Sequence, residues 1–284
     1  MLNKLAASEL VLNGDGSVYH LNLLPEDIAG KIILVGDPDR VPKVSEYFDK
    51  IEIKKNKREF YTHTGILRGE RITVMSSGIG TENIDIVMNE LDALVNIDLK
   101  NKEFKSEHTS LELFRLGTCG SVNPDVEVDQ MLVTQNVVGL DGLLRFYADY
   151  EFENSFSRNF MAKFPYENIK GMLYFSDWAE DISDYYQDAK YHGNTATFPG
   201  FYAPQGRQLR LKALDDRFLE TLNDLGVSNF EMETSAIYGL SKLLGHKALT
   251  VNNVIANRRR GEFASDHHAS EKKMIEWVLE RIIP

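Results

Sequence analysis

The sequence predicts an α/β fold, one domain with a central mixed β-sheet flanked by helices. Three observations carry that reading. Short apolar runs end at glycine-bearing loops, as in Lys31-Ile32-Ile33-Leu34-Val35-Gly36. Amphipathic stretches at helical spacing lie between those runs. The two kinds of segment alternate along the chain, with no repeat or low-complexity tract to interrupt them.

Residues 31–35 read as a buried strand, after which Asp39 is placed to cap a helix with Pro42 in its first turn and Val41, Val44, Tyr47 and Phe48 at helical spacing. Residues 58–67 and 71–75 suggest two strands joined around Arg68-Gly69-Glu70. Behind a second loop, Gly78-Ile79-Gly80, the spacing of Ile84, Val87, Met88, Leu91, Leu94 and Val95 predicts a helix over 81–95. A polar, lysine-rich insertion near 96–110 precedes a strand at 111–116 and a third glycine loop, Gly117-Thr118-Cys119-Gly120-Ser121. Another strand is expected at 131–138. Residues 149–190, acidic and rich in aromatics, read as an embellishment of the same domain. Beyond a loop at 199–211, Phe218, Leu219, Leu222 and Leu225 predict a helix closed by Gly226, and 234–244 a second closed by Gly245. A buried strand at 248–256 and a C-terminal helix bearing Ile275, Val278, Leu279 and Ile282 complete the pattern.

Composition excludes several function classes. The chain has 284 residues, 43% hydrophobic and 26% charged, which suits a large core and argues against wholesale disorder. Its net charge of −11, from 32 Lys and Arg against 43 Asp and Glu, argues against a nucleic-acid or anionic-membrane binder, so an anionic ligand needs local positive charge. The lone cysteine, Cys119, excludes an intrachain disulfide and a cysteine-built zinc site, and fits a reducing compartment. The first 22 residues mix Lys4, Glu9 and Asp15 with apolar ones, and no run approaches the roughly 18 apolar residues of a membrane span. A cytoplasmic protein is the expectation.

Strand-to-loop junctions of α/β sheets collect ligands, and three here carry arginine. Arg40 follows Gly36-Asp37-Pro38-Asp39, Arg58 opens Arg58-Glu59-Phe60, and Arg115 precedes Gly117. Guanidinium forks match phosphate oxygens and stay charged at neutral pH. One such arginine alone reads as a surface ion pair; three beside glycines or tight turns point to an anion site.

Four segments in order, Gly36-Asp37-Pro38-Asp39-Arg40, Arg115-Leu116-Gly117-Thr118-Cys119-Gly120, Phe201-Tyr202-Ala203-Pro204-Gln205-Gly206-Arg207 and Phe230-Glu231-Met232-Glu233-Thr234, make the chain resemble the nucleoside phosphorylase superfamily, and more narrowly its uridine phosphorylases. The likeness runs from about Tyr19 to the C-terminus, apart from the two inserted regions, and implies the nucleoside phosphorylase fold. It implies phosphate binding by Gly36, Arg40, Arg115 and Thr118, with Arg58 supplied by a neighbouring subunit. Thr118, Met232 and Glu233 would meet the ribose, His20 would reach its 5′ hydroxyl across a dimer, and Phe201, Gln205 and Arg207 would hold the base. Arg115, Glu233 and Arg207 would be the catalytic residues. The partners implied are a nucleoside and inorganic phosphate, with a homodimer at least and a hexamer as a trimer of dimers possible; no nucleic acid or membrane is involved, and no cofactor.

Each residue also has a plainer role open to it. Glu231 and Glu233 suit the start of the following helix, His20 a surface arm, and Gln205 and Arg207 a polar loop. Asp266-His267-His268 resembles a metal cluster but has no further matching ligands, so no metal is expected there. A monovalent cation in some relatives would fall on Glu59, Ile79 and Asn83, where Asn83 replaces a serine, which leaves the cation open. Purine-specific relatives carry an aspartate where this chain has Asn257, which favours a pyrimidine substrate, and Arg258 would help close the base loop. A purine nucleoside phosphorylase, a hydrolytic nucleosidase and a non-catalytic nucleoside-binding protein stand as alternatives.

Overall fold

The apolar run at 31–35 becomes β1 (Lys31–Val35), buried on both faces because Ile32 and Leu34 enter one core and Ile33 and Val35 another. The structure, a computed structural model, describes residues 4–148 and 150–283, so the start of the N-terminal arm and residue 149 of the embellishment lie outside the described residues. α1 (Arg40–Ser45) follows, but Asp39 makes no side-chain cap; Asp37 Oδ1 instead accepts the Asp39 N–H at 2.9 Å and shapes the turn. β2 (Lys50–Lys57), which the sequence reading passed over, begins an antiparallel meander with β3 (Phe60–Leu67) and β4 (Glu70–Ser76). Arg58 lies in the turn before β3 with φ 57°, and does not open the strand itself.

α2 (Thr81–Asn96) is one residue longer than its apolar spacing predicts. Ile84, Val87, Met88, Leu91 and Leu94 are fully buried along it, each contributing about 1.5–3 kcal/mol by leaving water. The polar insertion folds as a small hairpin, β5 (Ile97–Asp98) with β6 (Glu103–Phe104), which also bridges to the N-terminal arm at Lys4.

β7 (Glu112–Ser121) and β8 (Met131–Gly139) are followed by the embellishment. This carries α3 (Ser155–Lys163), α4 (Glu167–Lys170), β9 (Tyr174–Asp177) and α5 (Glu180–Ser183). It is an extension of the main sheet, since β9 pairs antiparallel with β8. Its aromatics Phe160, Phe164 and Phe175 share one cluster with Phe198, Phe218 and Phe230, beneath the loop at 199–211. Next come β10 (Tyr191–Thr197), α6 (Phe218–Asp224), β11 (Val227–Glu231), α7 (Thr234–Leu244), β12 (Lys247–Asn257), β13 (Glu262–Phe263) and α8 (His267–Ile282). Gly226 and Gly245 end α6 and α7 in the left-handed region, as expected.

The result is a mixed sheet flanked by helices. β1 runs parallel to β4 and β7, and β7 pairs both β12 and β11. Because β12 also pairs β8, β8 pairs β10 and β10 pairs β11, those five strands close on themselves into a ring. Among the described residues no helix is long and apolar enough to cross a membrane.

His63 on β3 ties α1 to the sheet through Ser45 Oγ, 2.7 Å from its Nδ1. Burial, with Lys54 nearby, lowers its pKa from 6.5 to about 4. The unfolded chain therefore takes up this proton first, so the stability involved is complete above pH 6.5 and drains away as pH falls toward about 4. Melting temperatures across that window are expected to fall for the wild type and to fall less for His63→Asn; equal slopes would refute the assignment.

Candidate active site

β7 does not stop at the expected glycine loop but continues through it to Ser121. Its glycines make room for side chains. A methyl group on Gly117 would run into the Arg115 guanidinium and stand 2.5 Å from Asn252 Oδ1, while one on Gly120 would stand 2.6 Å from the Phe230 ring. In that space Arg115, only 5% exposed, gives Nη1 to Asn252 Oδ1 at 2.9 Å. Its Nη2 donates to Glu233 and lies 3.1 Å from Glu231 Oε2. A guanidinium has five N–H donors, so these partners leave donor capacity toward the cavity that Arg115 lines. Burial opposes the charge on Arg115, but Glu231 and Glu233 outweigh it and hold its pKa above the ordinary value.

The two glutamates divide their work. Glu231, at the end of β11, accepts the Glu233 and Thr234 N–H groups at 2.9 Å each, the Thr234 hydroxyl at 2.8 Å and the Thr197 hydroxyl at 2.7 Å. It is thus saturated by the entry to α7. Glu233 takes the Gly80 N–H at 2.7 Å and Arg115. Burial raises its pKa, against the pull of Arg115, because one guanidinium serves two carboxylates.

A cavity of about 280 Å³ opens beside this clamp. Gly36, Arg40, Arg115 and Thr118 are among the residues that line it. Arg40 is anchored through Nε to Glu271 Oε2 at 2.8 Å and through Nη1 to the Leu116 carbonyl at 3.0 Å. Burial works against the Glu271 carboxylate, yet Arg40 and Lys43 keep its pKa below the usual range. Phe201, Gln205, Arg207, Met232 and Glu233 line the cavity too. Gln205 sits in a single helical turn (Ala203–Gln205), and Gly206, at φ 68°, turns the chain so that Arg207 comes back over it. The Arg207 guanidinium lies 3.7 Å above the Phe201 ring and donates to the Phe201 carbonyl at 2.7 Å and to Gln205 Oε1. Arg258 braces the same turn from below, donating to the Gln205 carbonyl at 3.2 Å.

Nine of the residues singled out from sequence therefore share one cavity. Two do not. His20 and Arg58 lie on the outer surface, where His20 Nδ1 is 2.6 Å from Glu90 Oε1 and Arg58 is exposed. On that side Lys57, next to Arg58 in the chain, reaches Asn13 at 2.9 Å and the carbonyl of Tyr19, next to His20. Asn257 is also outside the cavity. Its amide donates to the Asn123 and Val126 carbonyls and accepts the Arg259 and Arg260 N–H groups, all at 2.8–3.0 Å. Asp37, Glu231 and Glu233 are the cavity's acids among the described residues.

Asp266 caps α8 through the Ala269 N–H at 3.1 Å. Asp92, His108 and His246 bring ligand-type atoms within 4.8 Å of one another. However, His246 Nδ1 accepts the Leu111 N–H at 3.2 Å, which puts the ring proton on Nε2, and His108 Nε2 faces the Leu244 carbonyl at 2.8 Å. Around Gly78 the Asn83 side-chain amide donates to the Ile79 carbonyl at 3.3 Å.

Sequence reasoning missed the residues that hold the site: Asn252 and Glu271, distant in the chain from the arginines they grip, and Glu90 behind His20. It also missed Cys119, which lines the cavity with a thiol pushed up to about 12 by burial and hence protonated. Glu231→Gln is expected to cost about 3 kcal/mol of stability, because four donors besides Arg115 converge on its oxygens, against the Gly80 N–H alone at Glu233, and an amide leaves some of them unpaired. Glu233→Gln should cost less. Urea denaturation of both variants distinguishes them, and equal losses would contradict the division of labour.

The sequence model of the Phosphorylase superfamily matches residues 31–283. A uridine phosphorylase of Thermococcus kodakarensis is 29% identical over 277 residues, covering 96% of this chain and 88% of the relative. A DeoD-type purine nucleoside phosphorylase of Streptococcus suis is 28% identical over 270 residues, covering 93% and 98%. The crystal structure of a Trypanosoma brucei nucleoside phosphorylase, described as showing uridine phosphorylase activity, superposes with a TM-score of 0.86 at 30% identity, over 96% of this chain and 99% of that one. With its arginines, its clamp and its base loop gathered at one cavity on this fold, the chain belongs to the phosphorylase superfamily.

Proposed function

We propose that this chain catalyses the phosphorolysis of uridine to uracil and ribose 1-phosphate. The observation that carries the reading is the lining of one cavity, which brings together two buried guanidinium groups, the Glu233 carboxylate, and an amide paired with a third guanidinium. The uridine phosphorylase activity of the trypanosome relative supports it.

Arg40 and Arg115, with Thr118 and the Gly36 backbone, orient phosphate beneath the anomeric carbon, so that two held reactants avoid the penalty of a chance encounter. The bond from that carbon to the base nitrogen breaks as the bond to a phosphate oxygen forms. Positive charge grows on the sugar, which Glu233 accepts through the ribose hydroxyls and favours by its own charge. Negative charge grows on uracil. Arg207 and the Gln205 amide donate to its oxygens, while the Gln205 carbonyl accepts the ring N–H, contacts that strengthen as the base departs. A purine leaving group calls for an acid near its imidazole ring; of the cavity's acids among the described residues, Glu231 and Glu233 are engaged by Arg115 and the third is Asp37.

The working unit in this reading is a dimer at least, with His20 and Arg58 of the partner subunit completing each cavity; a hexamer built from three such pairs uses the same contact. The contact of Lys57 with the Tyr19 carbonyl, which joins the chain neighbours of Arg58 and His20, supports the arrangement. The setting we propose is the cytoplasm, which the single buried cysteine fits.

Release of free base from uridine, thymidine, inosine and adenosine, each with and without phosphate, tests the reaction; uracil should appear from uridine only with phosphate, and base release from uridine without it would indicate a nucleosidase. Arg207→Ala should damage uridine turnover more than phosphate affinity, and Arg115→Ala the reverse, while identical effects would undermine both assignments. Mixing inactive Arg58→Ala and Arg115→Ala chains should restore about a quarter of wild-type activity, since half the random pairs hold one intact site; no recovery would rule out a shared site.

A further inference from the structure

We propose that Asn252 is a positioning residue, which aims Arg115 through a one-way hydrogen-bond chain running across the interior of the closed ring of strands. The inference rests on the reading of Arg115 as the ligand of inorganic phosphate. Asn252 lies on β12 directly across from Gly117 on β7, and it is fully buried. Its neighbour Asn253 donates to Ser270 on α8 at 2.8 Å, so the two asparagines serve opposite faces of the strand.

Proton accounting fixes the direction of the chain. A guanidinium can only donate, so Asn252 must present Oδ1 to Arg115 Nη1, at 2.9 Å. The Asn252 Nδ2 group then faces Thr134 Oγ1 at 3.4 Å and donates to it. Thr134 and Thr195 hydroxyls are 2.7 Å apart, and Thr195 gives its proton to Asn229 Oδ1 at 2.8 Å. Thr195 therefore accepts from Thr134, and Thr134 from Asn252. All four links below Arg115 are fully buried. Reversing one link would turn an N–H against the guanidinium, so the chain permits a single orientation of the Asn252 amide. Glu231 and Glu233 hold only Nη2, and Asn252 determines where Nη1 lies and how the fork is turned in its plane.

The test uses full-length enzyme carrying Asn252→Ala, Thr134→Val or Thr134→Ser, with KM measured separately for phosphate and for uridine. Loss of a hydrogen bond to a charged group predicts a roughly tenfold rise in the phosphate KM for Asn252→Ala. A smaller rise is expected for Thr134→Val, which keeps the shape but breaks the chain, and Thr134→Ser should restore the wild-type value. The uridine KM should hardly move for the two threonine variants, while the melting temperature should fall for Thr134→Val, which strands the buried Asn252 N–H, and hardly move for Thr134→Ser. A wild-type phosphate KM in Thr134→Val, or parallel rises in both KM values, overturns the proposal. Calorimetry with inorganic phosphate alone separates the two levels of argument. If wild-type enzyme binds none, the reading of the site falls and takes this one with it; if it binds and Asn252→Ala binds equally well, only the role of Asn252 falls.

Discussion

A single cation, taken out of water and shared between two carboxylates and an amide, organises this molecule. Arg115 is drawn from β7, Glu231 from the end of β11, Glu233 from the entry to α7 and Asn252 from β12, so one guanidinium ties four elements together. Such a buried group adds little net stability, since desolvation consumes most of the attraction, but removing one partner is costly because the others are then uncompensated. Its value lies in geometry. The clamp forces Gly117, dictates that β7 and β12 run side by side without a Cβ between them, and delivers a charged fork to the wall of a small cavity.

The residues that line that cavity are held in two different ways. Arg40 and Arg115 are 7% and 5% exposed and each is held by acceptors from remote parts of the chain. Phe201 and Tyr202 are 50% and 56% exposed, and the base loop is secured by one helical turn, a stacked arginine and the carbonyl contacts of Arg258. Fixed donors suit an inorganic nucleophile of constant shape. A less tightly packed loop suits a substrate that must enter and leave. The aromatic segment before β10 gives this loop its floor, as the packing of Phe160 and Phe175 with Phe198 and Phe218 shows.

Elements whose cause is local were legible in the sequence. α7 and its closing Gly245 have the bounds that spacing predicts, and β1, β8, β12 and the covered face of α2 follow within a residue or two. What failed was nonlocal. β2 alternates exposed and half-buried residues of little hydrophobic contrast, and β10 and β11 are rich in polar residues that pair inside the ring, so neither carried an apolar signature. Glycines at 117 and 120 suggested a loop because their need, room for Arg115 and Phe230, comes from other strands. The site motifs were readable in order along the chain, whereas the residues that anchor them, Asn252 and Glu271, have no motif of their own.

β2 pairs only with β3 and forms one margin of the main sheet. Its outward positions are Lys50, Glu52, Lys54 and Asn56, all exposed, and Lys55 and Lys57 are occupied by Asp27 and Asn13. A foreign strand seeking the open backbone of this margin would have to strip water from charges and crowd like-signed ammonium groups together. The same bland, lysine-rich sequence that hid β2 from recognition thus discourages runaway edge-to-edge growth, keeping a chain with a large sheet dispersed when concentrated.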